Sequence, residues 1–284
     1  MRFPFRILNV FTIDGDRLSG NPLCVFEDAS ALTDLQMQGL ARQMNLSETT
    51  FILPGTIRQA TARVRIFTPG FEMPFAGHPT LGTAFVVSER HPASTSIVLE
   101  MKAGNVPVTV DGNQLTLRVP NPPITRKVAA TRAELAAMLS LPAEAITEEP
   151  LWVSTGVEQL VIPLGSAAHV RAAKPVPALI ESHGLSEARN EAMAYVWAAA
   201  GRDLVVRFFF TQHGAVIEDP ATGSACANLG GWMLATGKAL PVAATLAQGA
   251  AVGRPSRLHL RVEADRSIYV SGSVIELGRG TLDL

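Results

Sequence analysis

Residues 78–84 read HPTLGTA, and residues 219–225 read DPATGSA. Aligned without gaps, His78 faces Asp219, Pro79 faces Pro220, Gly82 faces Gly223, Thr83 faces Ser224 and Ala84 faces Ala225. The offset is 219 − 78 = 141, about half of the 284 residues. Phe67-Thr68 and Phe210-Thr211 end strand-like runs upstream of the two copies. A shared strand–loop–helix setting at half-length spacing predicts a doubled module rather than a chance match. The simpler alternative, two Pro-initiated helix starts, accounts for Pro and Thr/Ser but not for the matching Gly and Ala.

The rest of the chain has room for such a plan. Hydrophobic residues make up 47% and charged residues 17%, enough apolar material for a substantial core in two domains of common size. With 24 basic against 25 acidic residues, no cationic excess exists to release counterions from nucleic acid. No apolar run approaches the roughly 20 residues of a membrane helix, and acidic residues interrupt the first 16 positions before a signal-like stretch can form. The expectation is a soluble, cytoplasmic protein with no nucleic-acid or membrane partner. Cys24 and Cys226, the only cysteines, lack metal-ligand spacing and read as small buried hydrophobes.

Short β-type runs dominate, among them RILNVFTI, PLCVF, TTFIL, ARVRIF, LVVRFFF and RLHLRV. Asp111-Gly112-Asn113 marks a hairpin between VPVTV and QLTLRV. Thr33 with Gln36, and Thr131 with Glu134, form capping boxes that open two helices. Two more helices are expected after HPT, through LGTAFVVSE, and after DPATGS, through ACANLGGWMLATGK. The Pro-rich segment 119–127, VPNPPITRK, is the best linker candidate. The domains expected are 1–121 and 122–275, with a last strand near 276–284 able to join the first.

Duplicated halves commonly face each other across a cleft, which would bring His78 and Asp219 to it from opposite sides. Behind each, a helix is expected to begin with small residues, Gly82-Thr83 and Gly223-Ser224. Two such N-termini would present unpaired N–H groups and positive dipole ends, suiting a small acidic ligand.

Taken in order, NPLCVF after FTIDGDRLSG, NLSETTF, FTPGFEMPFAGHPTLGTA, EDPATGSA and QGAAVGRPS resemble the phenazine-biosynthesis PhzF-like isomerase family, over residues 11–256. The resemblance implies a diaminopimelate epimerase-like α+β (α/β) fold: two pseudo-symmetric domains, each a curved, barrel-like sheet around a central helix. It implies a homodimer that uses neither metal nor organic cofactor. The activity implied is isomerisation of trans-2,3-dihydro-3-hydroxyanthranilate or a related cyclic amino acid, by moving a proton and a double bond. The Glu of the SETTF motif, Glu48, is implied as acid/base residue. GHP and DPATGS carry over Gly77, His78, Asp219, Gly223 and Ser224 as proton-handling and substrate-holding positions.

Each residue has a plainer local reading. Glu48 could be an exposed turn residue, His78 a hydrogen-bonded histidine beside a turn, Asp219 an N-cap for the helix after Pro220. A serine-hydrolase role for Ser224 lacks the GxSxG text. A racemase using two opposed thiols is disfavoured because the repeat carries His78 and Asp219 instead of cysteines. Gln248 and Arg254 of QGAAVGRPS, and His213, have no assigned role. Three functions remain in play: a cyclic amino-acid isomerase, an epimerase or racemase of an acyclic amino acid, and a non-catalytic small-acid binder.

Overall fold

The structure, a computed structural model, describes residues 1–284 except Asp14 and His213, so the unassigned His213 lies outside the described residues. The chain divides into two compact units, Met1–Pro120 with Val270–Leu284, and Asn121–Tyr269.

The first unit contains strands Arg2–Thr12 (β1), Asn21–Phe26 (β2), Thr49–Leu53 (β3), Ala62–Phe67 (β4), Glu72–Met73 (β5), Ser96–Met101 (β6), Gly104–Asp111 (β7) and Gln114–Arg118 (β8). Helices Asp34–Met44 (α1) and Gly77–Ser88 (α2) lie between them. The pairing runs β1–β2–β3–β4–β6–β7–β8. The final strand of the chain, within Ile268–Asp283, pairs with both β1 and β8 and closes an eight-stranded ring. Closure leaves no unpaired sheet edge on this ring.

α2 runs inside, touching β1, β2, β3, β4, β6, β7 and β8. Its sequence explains the position: ten of its twelve residues are buried, so it is apolar all round rather than on one stripe. Gly82 permits the close approach, because a Cβ there would stand 2.5 Å from Leu23 Cδ2 and 3.0 Å from Val10 Cγ2. α1 has one apolar face, and packs Met37, Leu40 and Ala41 into a cluster with Phe3, Phe26, Phe51 and Phe67. The Phe26 and Phe51 rings stack at 5.0 Å between centroids. Both capping boxes form, at Thr33/Gln36 and Thr131/Glu134. The hairpin at Gly112 also forms, with Asp111 opposite Gln114.

The second unit repeats the plan. Its elements are Ile124–Lys127 (β9), Arg132–Met138 (α3), Leu151–Ser154 (β10), Glu158–Pro163 (β11), Ala167–Ala172 (α4), Pro177–His183 (α5) and Leu185–Ser186 (β12). They continue with Glu191–Ala200 (β13), Asp203–Gln212 (β14), Ala215–Asp219 (β15), Gly223–Ala235 (α6), Val242–Gln248 (β16) and Ser256–Val262 (β17). Parallel pairs β2–β3 and β4–β6 are matched by β11–β13 and β14–β16, with a helical crossover each time. Short strand β5 folds back on β4 before α2, and β15 folds back on β14 before α6.

One expectation is corrected here. Part of the proposed linker, Ile124–Lys127, is a strand paired with β10. All four of its residues are exposed, so no alternation of apolar and polar residues announced it.

A charged cluster fastens the ring. Arg6 on β1 is 6% exposed and bonds Glu27 at 3.0 Å, Glu276 at 3.1 Å, and Glu89. The hydrogen bond from Arg6 holds the Glu27 carboxyl below its usual range, with burial opposing. Arg6→Met should cost about 3 kcal/mol, because it removes the cation shared by three carboxylates and leaves Glu27 with Arg90 and Glu276 with Arg279. A carboxyl whose folded pKa is lowered adds stability above its unfolded value, near 4.5; that stability is lost as pH falls through the folded value. Urea midpoints should therefore fall below about pH 4.5 in the wild-type protein. The same segment of the curve should be flatter in Arg6→Met.

Candidate active site

The true register of the internal repeat emerges from the two central helices. α2 begins at Gly77 and α6 at Gly223, an offset of 223 − 77 = 146. The same offset pairs Glu72 with Glu218 and Pro74 with Pro220, giving EMPFAGH against EDPATGS. The gap-free alignment at 141 is therefore corrected: His78 corresponds to Ser224, and Met73 to Asp219. Gly82 and Thr83 lie within α2, not at its start. Side-chain contacts keep Glu72 equivalent to Glu218, while the arginines that grip them are offset by 207 − 65 = 142, so the second hairpin is four residues longer. Arg65 forks onto Glu72 across the β4–β5 hairpin, with both bonds at 2.8 Å, and lies over Phe67. Arg207 forks onto Glu218 across β14–β15, at 3.1 and 2.6 Å, and lies over Phe209. Each fork fixes the hairpin that delivers the chain to its central helix.

In the first unit, Glu48 and His78 meet. Thr33 opens α1 and Asn45 closes it in a left-handed conformation, so the chain turns through Leu46 and Ser47 before β3 begins at Thr49. Glu48 is the residue just before β3, and its side chain is 15% exposed. His78 is the second residue of α2 and is 4% exposed. Its Nε2 lies 3.4 Å from Glu48 Oε2. The exposed-turn reading of Glu48 is thus set aside.

The protonation state of His78 follows from its surroundings. Burial drives its pKa from 6.5 down to about 3, with a hydrogen bond to the Pro22 backbone opposing. Pro22 offers only a carbonyl, so the imidazole donates. Nδ1 lies 3.4 Å from the Asn21 amide nitrogen, and Nε2 is the ring atom turned toward Glu48. Ser47 holds Asn21 in turn, its hydroxyl donating to Asn21 Oδ1 at 3.3 Å. The His78 resonances should show no titration between about pH 5 and 8 by NMR. Buried neutral, His78 should also lower stability as pH falls below about 6.5, where the unfolded chain takes up its proton and the folded one does not.

In the second unit, Asp219 is the last residue of β15. The N-cap of α6 is Thr222, so the capping reading of Asp219 is corrected. Thr222 donates its hydroxyl to Asp219 Oδ2. Gln248, 3% exposed, braces both: its Nε2 donates to the Asp219 carbonyl at 2.9 Å and to Thr222 Oγ1 at 3.0 Å. Its Oε1 accepts from the Thr222 N–H at 3.2 Å. Gly249 sits against the same loop at φ +78°, where a Cβ would fall 2.2 Å from the Arg254 carbonyl and 2.4 Å from that of Pro220. QGAAVGRPS is thus a clamp on DPATGS, a relation invisible in a linear sequence.

Neither α2 nor α6 has a side-chain cap. Their first-turn N–H groups are left without intrahelical partners, as anion-binding helix starts require. Ser224 Oγ accepts from Gln159 Nε2 at 3.0 Å, so its neighbour is an amide and not a base that could activate a nucleophile. Both cysteines are fully buried. Burial pushes the Cys24 thiol up to about 12 and raises that of Cys226 further, so neither supplies a thiolate.

Among the described residues no helix is long and apolar enough to cross a membrane. A family model described as phenazine biosynthesis-like protein, PhzC-PhzF, matches residues 8–279. An uncharacterized isomerase of Pasteurella multocida is 38% identical over 280 residues, spanning 99% of this chain and 94% of the relative. The trans-2,3-dihydro-3-hydroxyanthranilate isomerase of Pseudomonas aeruginosa is 36% identical over 277 residues, covering 93% of this chain and 94% of that one. A solved structure from the same organism, described as a predicted epimerase, superposes with a TM-score of 0.80 at 30% identity over 99% of both chains.

Proposed function

The chain belongs to the phenazine biosynthesis-like protein family, PhzC-PhzF, and from that premise we propose that it is an isomerase acting by proton transfer on a small cyclic amino acid. The substrate class supported best is trans-2,3-dihydro-3-hydroxyanthranilate or a close relative, the compound named for relatives at 34–36% identity. The observation that carries the reading is the half-buried Glu48 carboxyl 3.4 Å from Nε2 of a neutral His78.

Glu48 takes the proton from one ring carbon, the electron pair shifts across the diene, and the same carboxyl returns the proton to another carbon. The site ends each turnover as it began. His78 Nε2 is the polar neighbour of the Glu48 carboxyl in both of its states. Because His78 is neutral, no imidazolium stands opposite to lock Glu48 as a carboxylate. By the family resemblance Gly77, Gly223 and Ser224 are substrate-holding positions and Asp219 a further proton-handling one. The protein works as a homodimer, a reading supported by the family resemblance and checked by light scattering.

An epimerase reading has support from the structural neighbour described as a predicted epimerase. The two inert thiols argue against its two-cysteine form. Turnover in deuterium oxide separates the readings. Deuterium in a ring carbon of the product supports the isomerase, and label confined to an α-carbon of an acyclic amino acid replaces it with the epimerase.

A further inference from the structure

Gln159 belongs to no motif in the sequence, yet it is 2% exposed and touches Ser224. Its orientation is dictated by backbone atoms whose roles cannot change. The Thr155 N–H donates to Asn228 Oδ1 at 2.8 Å, so that atom is the oxygen. Asn228 Nδ2 then donates to the Val157 carbonyl at 2.8 Å and to Gln159 Oε1 at 2.8 Å. Thr155 Oγ1 donates to Asn228 Oδ1 as well, and the Asn228 amide is saturated. Gln159 therefore has only its NH₂ to offer Ser224, and Ser224 Oγ has to accept. The one proton of the Ser224 hydroxyl is left to donate elsewhere.

We propose that Gln159 is a positioning residue that fixes the Ser224 hydroxyl as a hydrogen-bond donor at the start of α6, so that this subsite prefers a carboxylate over its neutral carboxamide. The inference rests on the proposed function for the identity of the site and adds to it the polarity of this subsite. The internal repeat supports it independently. His78, the counterpart of Ser224, has its Nδ1 3.4 Å from the side-chain nitrogen of Asn21, at the start of β2. Ser224 is held by Gln159 at the start of β11, the equivalent strand. In both halves an early amide residue of an equivalent strand, β2 or β11, meets the second residue of the central helix.

The test compares binding of 3-hydroxyanthranilate with that of its carboxamide, by calorimetry, in wild type, Gln159→Glu, Gln159→Met, Ser224→Ala and the Gln159→Met/Ser224→Ala pair. The wild-type protein should prefer the carboxylate by about tenfold or more. Gln159→Glu keeps the bond from Asn228 but draws the Ser224 proton toward itself, and should erase that preference. Gln159→Met adds no charge and should cut it by about threefold or more. In the Ser224→Ala background Gln159→Met should change nothing further, because the group it orients is gone. Melting temperatures within about 3 °C of wild type exclude simple unfolding. If Gln159→Glu does not fold, Gln159→Met carries the test.

An unchanged preference in Gln159→Met, or an equal effect of that change with and without the Ser224 hydroxyl, overturns the proposal. So does a wild-type protein that binds neither compound. Binding of 3-hydroxyanthranilate with Gln159 behaving as described, but no isomerisation of the dihydro compound, overturns the isomerase reading alone.

Discussion

Glu48→Gln is expected to lower turnover by about a hundredfold or more while leaving ligand binding and melting temperature near wild type. The reasoning starts from shape. Gln matches Glu atom for atom, so the turn after α1 and the start of β3 are undisturbed. His78 is neutral in this site. A Gln amide, which has both a donor and an acceptor, can pair with either tautomer of a neutral imidazole across the 3.4 Å now separating Nε2 from Glu48. Binding survives, but an amide neither takes nor returns a proton at these pH values. Glu48→Asp offers a graded comparison, because it keeps the acid and withdraws it by one methylene. Steady-state kinetics with a parallel binding measurement give the answer. Turnover retained in Glu48→Gln would remove this residue from the chemistry.

The second large effect is expected from one methyl group at Gly249. With φ at +78° and two backbone carbonyl oxygens, of Arg254 and Pro220, 2.2 and 2.4 Å from where a Cβ would stand, Gly249→Ala has no rotamer that relieves it. Backbone has to move, and what moves carries Asp219 and Thr222 with it, because Gln248 bonds both. A destabilisation of about 3 kcal/mol or more is expected, combining left-handed strain with the clash. A loss of turnover should accompany it. Gly253 is the internal control, since it has a similar φ of +69° with nothing within 4 Å. Gly253→Ala should cost only the conformational part, about 1 kcal/mol. Equal denaturant midpoints for the two variants would show that the contact at Pro220 does not hold the loop.

Both predictions depend on different amounts of tertiary information. Glu48 and His78 were named from motifs thirty positions apart, but their 3.4 Å approach exists only because β3 and α2 are neighbours within one closed sheet. Gln248 stood in a motif without a role until the loop it braces was placed beside it. Asn21, Gln159 and Asn228 gave no local signal at all. A buried Asn or Gln reads in sequence like a surface polar residue, and only its fixed partners reveal a donor or acceptor of set direction.

Local chemistry was written plainly along the chain. Two capping boxes, the Gly112 hairpin, the TTFIL strand and the buried character of both cysteines depend on residues within a few positions of each other, and each formed as its side chains demand. Duplication, too, was visible in two seven-residue phrases. Its register was not. Helix starts are set by where the chain enters the sheet, and the Arg65–Glu72 and Arg207–Glu218 forks place those entries at Gly77 and Gly223. α4 and α5 were missed because short helices with a single buried residue each leave almost no periodic trace. Sequence determined which pieces this protein is made from and that it is made twice. Tertiary packing decided which residue answers which, because pairing across a sheet and around a buried helix joins positions that no local pattern can connect.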